Sequence, residues 1–223
     1  MSRLEFKPNK EGILLPEHEI PKLHADVMKM SFENCFFIKK AYKEIIGLRN
    51  VSHFSINIVD PDDKMSIISL NPHIAFNICA DGSYLYNGSI SPTYYKTRDI
   101  YSWDECYDTR FSEKLKNNME RKNGIHKGVV VIRRFGKFII LYSFATKFAK
   151  SDFTLDIQEN LSDFYDMGDH CYSLIQNIYE QYAGNFEPPK VGDFQIIESN
   201  VRSVSQSDTE RPKLKIIKGG KSE

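Results

Sequence analysis

Residues 123–147, NGIHKGVVVIRRFGKFIILYSFATK, restrict the fold more than any other stretch. Two runs of β-branched and aromatic residues, VVVI and FIIL, flank a Gly turn near Phe135-Gly136-Lys137. Neither run alternates with polar residues. They therefore suit central strands buried on both faces rather than an edge strand with one wet face. A hairpin of this kind needs a layer on each side, and the rest of the chain must supply both.

The flanking patterns provide those layers. From Pro21 to Gly47, Leu23, Val27, Met30, Cys35, Phe36, Ala41, Ile45 and Ile46 recur at helical steps, which predicts one long helix ending at Gly47. His53 to Val59 alternates, with Phe54, Ile56 and Ile58 on one face, and Met65 to Leu70 is a second strand. DPDDK between them is a turn, because Pro presets φ and Asp bonds its own backbone. Asn71-Pro72 caps a short helix. Residues 81–103 are aromatic and rich in turn formers. Thr109 to Arg121 predicts an exposed amphipathic helix with Phe111, Leu115 and Met119 on one stripe. Asp156 to Tyr182 predicts a long helix, with a possible break at Gly168 and an end near Gly184. The sum is an α+β fold, with an antiparallel sheet between helices on both sides. It occupies residues 22–185, after an irregular lead-in at 1–21 that carries Pro8 and Pro16. The polar, Pro-containing stretch 186–223 reads as a tail outside the core.

With 223 residues the chain can bury a core without disulfides or metal. Cys35, Cys79, Cys106 and Cys171 are widely spaced and form no zinc-ligand pattern, so they read as reduced thiols of a cytoplasmic protein. No apolar run is long enough for a membrane span. No nucleophile elbow, zincin helix or dinucleotide loop is present, so no cofactor is implied and a non-enzymatic role is expected. Net charge is zero but unevenly placed. Ten Lys/Arg against two Glu lie in 113–150, and eight Asp/Glu with no Lys/Arg lie in 151–187. These are two solvated faces, or surfaces for partners.

The aromatic segment Tyr94, Tyr95 and Trp103, followed by Gly124-Ile125-His126-Lys127-Gly128 and strands ending at Tyr142-Ser143-Phe144, resembles the autoinducer-binding domain of LuxR-type regulators. The resemblance covers about residues 22–183. It implies a PAS-like α/β/α sandwich with a central antiparallel sheet and a long C-terminal helix. The family's Trp–Tyr set with a following Asp-Pro pair is missing, since the lone Asp-Pro, Asp60-Pro61, sits in the first turn. The family's DNA-binding helix-turn-helix has no counterpart in the tail, which argues against DNA binding through that module.

Two roles follow. The first is a non-catalytic adaptor that binds other proteins within a bacterial assembly, such as a secretion or effector-coupling complex. Its candidate contacts are Arg133 and Arg134 and the tail patches Phe194, Ile196, Ile197 and Leu214, Ile216, Ile217. The alternative is a stand-alone sensor of a small apolar ligand. In either role Tyr84, Tyr86, Tyr94, Tyr95, Tyr101 and Trp103 line a cavity, form an interface or fill the core, and the sequence leaves these open.

Overall fold

The structure, a computed structural model, describes residues 16–183 and 185–192. The tail patches Phe194, Ile196, Ile197, Leu214, Ile216 and Ile217, with most of the lead-in, lie outside these residues. Six strands form one sheet: β1 (Lys22–Leu23), β2 (His53–Val59), β3 (Lys64–Ser69), β4 (Ile100–Ser102), β5 (Lys127–Phe135) and β6 (Phe138–Thr146). Their order is β1-β3-β2-β6-β5-β4. All pairs are antiparallel except the two-residue edge pair β1–β3. The VVVI and FIIL runs lie in β5 and β6, both interior to the sheet. Their hairpin turns at Gly136, whose φ of 56° is a conformation glycine adopts without strain.

Helices α1 (Val27–Glu33), α2 (Cys35–Tyr42), α3 (Pro72–Ala80), α4 (Pro92–Tyr95), α5 (Ser112–Lys116), α6 (Phe153–Glu159) and α7 (Leu161–Ala183) cover the sheet. One face of β2 and β6 presents Phe54, Ile56, Tyr142 and Phe144 to α2, α6 and α7. There Tyr42 meets Phe54 edge-on at 4.9 Å and Phe164 meets Phe144 at 5.1 Å between centroids. Such pairs add ~0.5–1.5 kcal/mol each beyond their burial. The opposite face is covered by α3, the aromatic segment and the chain around α5. Helices on both faces of a mainly antiparallel sheet, ending in a 23-residue helix, give the α+β sandwich expected from the sequence.

Local signals held where they were strong. Asn71 Oδ1 accepts from the His73 N–H at 3.2 Å and caps α3. Asp60 Oδ1 accepts from the N–H groups of Asp62 and Lys64 and closes the β2–β3 turn.

Four expectations are corrected. The first long helix is two helices, broken at Asn34, whose Nδ2 donates to the Met30 carbonyl at 2.9 Å and competes with the helical ladder. The last helical stretch breaks at Asn160 rather than Gly168. Asn160 leaves helical geometry with φ −122° and donates to the Asp156 carbonyl. Gly168 stays helical and lies against the Tyr142 ring, where any side chain would collide. The Thr109–Arg121 helix shortens to α5 followed by a π-helical turn at Asn117–Arg121, with Leu115 and Met119 of its apolar stripe buried. Finally, the aromatic stretch is no simple loop. It holds α4, two short 3₁₀ turns and the edge strand β4, too short to leave a periodic signal.

Candidate functional site

Strand β2 is buried along its whole length, yet its sequence alternates apolar with polar. Its apolar set faces the α2–α6–α7 layer. Its other set, His53, Ser55 and Asn57, therefore points into the opposite layer rather than into water. Register extends this polar strip sideways. Ser55 pairs with Ser69 of β3 and with Ser143 of β6, so three serines lie in one row across the sheet.

Above this strip lies a cavity of about 50 Å³. Its floor is His53, Ser55, Asn57, Ile67, Ser69 and Ser143. Its roof is Ile74, Ala75 and Ile78 of α3, Asn87 to Ile90 in part, Trp103, and Met119 of the π turn. At ~10–15 Å³ for each water-sized occupant, it has room for about three to five. A drug-sized molecule needs roughly 300 Å³ or more, so a larger ligand must lift the roof. Two roof parts suit that movement: Met119 has a flexible side chain, and a π turn is a poorly favoured helix form.

The polar groups on the floor are unevenly satisfied. Ser69 Oγ donates to the Asn71 carbonyl at 3.1 Å, and Trp103 Nε1 donates to Ser143 Oγ at 3.1 Å. His53, Ser55 and Asn57 make no side-chain hydrogen bond among the described residues, and Asn57 Oδ1 is buried without a partner. Burial, with Lys147 as a second and smaller cause, lowers the His53 pKa to about 4, so the imidazole is neutral at physiological pH. Among the described residues no Asp, Glu, Lys or Arg lines the cavity. The described residues also hold no group of three or more His, Cys, Asp or Glu able to bind a metal ion.

Of the aromatic residues singled out from the sequence, Trp103 lines this cavity. Its indole lies flat on Gly128, where a Cβ would stand well under 3.0 Å from three ring atoms. Tyr101 backs the wall by donating to the Ser89 carbonyl at 3.0 Å. Tyr95 is fully buried, and Tyr84 and Tyr94 pack part-buried on the same cluster. Tyr86 stacks on Phe111 at 3.6 Å. These rings hold the segment in place without reaching the cavity.

Arg133 and Arg134 are not brought to the cavity. Arg133 lies on the opposite face, where its guanidinium contacts Asp169 at 2.7 Å and covers the Tyr165 ring. Arg134 pairs with Asp99 and donates to the Tyr95 and Arg98 carbonyls. His53, Ser55, Asn57, Ser69 and Ser143 were missed as site residues. Their signal was the alternation itself: polar positions in a strand covered on both sides must face something other than bulk water.

Solved structures of SdiA are similar to this chain. One, SdiA in complex with octanoyl-rac-glycerol, has a TM-score of 0.49 and 14% identity, covering 77% of this chain and 71% of that one. Another, Escherichia coli SdiA, has a TM-score of 0.48 and 13% identity, covering 77% and 73%. No family model and no curated protein matches the chain. No helix among the described residues is long and apolar enough to cross a membrane.

Proposed function

We propose that the protein is a sensor that binds a small, largely apolar molecule between the sheet and the α3 layer. One observation carries this reading: His53, Ser55 and Asn57, on a fully buried central strand, turn unpaired polar side chains into a cavity with a mostly apolar roof. Buried polar groups are nearly always hydrogen-bonded, so an unpaired one beside a cavity calls for an explanation, and a bound molecule supplies one. A mostly apolar site with a few polar groups is the usual make-up of a small-molecule pocket.

Binding rather than catalysis fits the same lining. Among the described residues no carboxylate or thiol lines the cavity, and His53 makes no hydrogen bond to a hydroxyl that it would activate. The adaptor role has less support. Arg133 and Arg134 are engaged within the fold, and the tail patches lie outside the described residues.

Trp103 is the chain's single tryptophan and part of the cavity wall, so its emission reports directly on occupancy. The test titrates fractions of an organic extract from the source cells, following Trp103 emission and melting temperature. A binding fraction shifts the emission saturably and stabilises the fold by ~2.7 kcal/mol at a hundredfold excess over Kd. If no fraction moves either signal, and native mass spectrometry finds only the bare chain, the sensor reading is wrong.

A further inference from the structure

We propose that the end of the sheet where β5 begins and β6 ends docks on an anionic membrane surface, with Phe148 entering the lipid interface between flanking cations. Residues 120–127 and 146–152 carry Arg121, Lys122, Lys127, Lys147 and Lys150 against Glu120 and Asp152. The two segments lie side by side. The His126 N–H donates to the Thr146 carbonyl at 2.9 Å, and the Lys127 ammonium donates to the Ser151 carbonyl. All these cations are exposed except Lys127, which is half-buried. On the adjoining α6, Asp156 is taken up by Arg49 at 2.8 Å, which leaves Glu159 as that helix's other acid.

Large apolar side chains protrude from the same end. Phe148 is 57% exposed in a turn closed by the Ser151 N–H on its own carbonyl at 3.1 Å, with Lys147 and Lys150 beside it. Leu48 and Leu155 are each 51% exposed. The turn carrying Leu48 is tied to the end of β6, where the Ser52 N–H donates to the Ala145 carbonyl and the Lys147 N–H to Ser52 Oγ. The same turn is tied to α6, which carries Leu155, through Arg49 and Asp156. Apolar side chains standing apart on separate segments would each need a matching hole in a protein partner. A lipid interface accepts them in any arrangement, while its anionic headgroups meet the cations around them.

The inference stands apart from the ligand reading, because vesicles bind or fail to bind whether or not the cavity is filled. The test is flotation of the full chain with vesicles of phosphatidylcholine, with and without phosphatidylserine, at low and high salt. Binding is expected only to the anionic vesicles and should weaken as salt screens the charges. Each cation at the surface is worth roughly fivefold, so Lys147→Ala with Lys150→Ala should weaken binding about 25-fold. Phe148→Ser should cost about tenfold. Phe36→Ser with Lys40→Ala, equally exposed positions on α2, should leave binding unchanged. Absence of binding to anionic vesicles, equal binding to neutral ones, or loss in the α2 variant instead of the Phe148 and Lys147 variants overturns the proposal. Binding of poly-glutamate without binding of vesicles gives this face to an acidic polypeptide and overturns the membrane assignment.

Discussion

Replacing Gly128 with alanine tests the geometry of the cavity wall most directly. The new Cβ would stand well under 3.0 Å from the Cδ2, Cε2 and Cε3 atoms of Trp103, a contact that no relaxed structure tolerates. Gly128 is held in β5 by its pairing with Ala145, so the indole must move instead. Overpacking of this kind costs about 2 kcal/mol. Displacing the indole also breaks the 3.1 Å bond from Nε1 to Ser143, leaving buried groups unpaired at about 1.5 kcal/mol. Loss of the glycine's unfolded-state freedom returns about 0.7 kcal/mol. The net expectation is a destabilisation of about 3 kcal/mol, or roughly 6–12 °C in melting temperature. Urea denaturation followed by far-ultraviolet circular dichroism measures the first figure. The position of Trp103 emission measures the displacement. A loss under about 1 kcal/mol with unchanged emission would refute the reasoning, because it would mean that the indole does not rest on Gly128.

Three further outcomes follow from other parts of the fold. Gly168→Ala places a methyl group against the Tyr142 ring. It should destabilise by about 1–2 kcal/mol despite a gain of about 1 kcal/mol in helix propensity, and become stabilising in a Tyr142→Leu background, as judged by chemical denaturation. Asp169→Ala removes the carboxylate shared by Arg133 at 2.7 Å and the Tyr142 hydroxyl at 2.7 Å. It should cost about 3–5 kcal/mol in the same assay, and a loss below 1 kcal/mol would deny that this pair fastens α7 to the sheet. His53 is neutral when folded and takes a proton near its usual pKa of 6.5 when unfolded, so between pH 6.5 and about 4 the unfolded state binds more protons. Its contribution is complete above pH 6.5 and is lost as pH falls to about 4, a change of about 3 kcal/mol that should disappear from the pH–stability profile of His53→Asn.

Much of the architecture was legible locally. The β5–β6 hairpin announced itself through two unbroken β-branched runs and a Gly turn, and β2–β3 through the Asp-Pro turn between them. Asn71-Pro72 marked the start of α3 because a cap and a preset φ act within three residues. Helix breaks were less legible. Gly168 carries the stronger breaking tendency in isolation, but the Tyr142 ring packs onto it and the helix continues. Asn34 and Asn160 break their helices because their side chains find backbone carbonyls one turn away. Propensity weighs each residue alone, whereas these outcomes depend on what lies across the interface.

The candidate site divides in the same way. Trp103 was named from the aromatic segment, since large aromatic residues among turns are rare enough to notice. The floor was not named, since alternation in HFSINIV is equally the mark of a strand with one face in water. Sequence by itself determined which residues share a face of β2, because side chains alternate along any strand whatever surrounds it. Only the tertiary structure decided that the polar face is covered. Ser69, Ser55 and Ser143 meet in one row only when β3 and β6, 74 positions apart along the chain, pair with β2 in this register. Register and layering are set by contacts distant in sequence, and the cavity exists only through them.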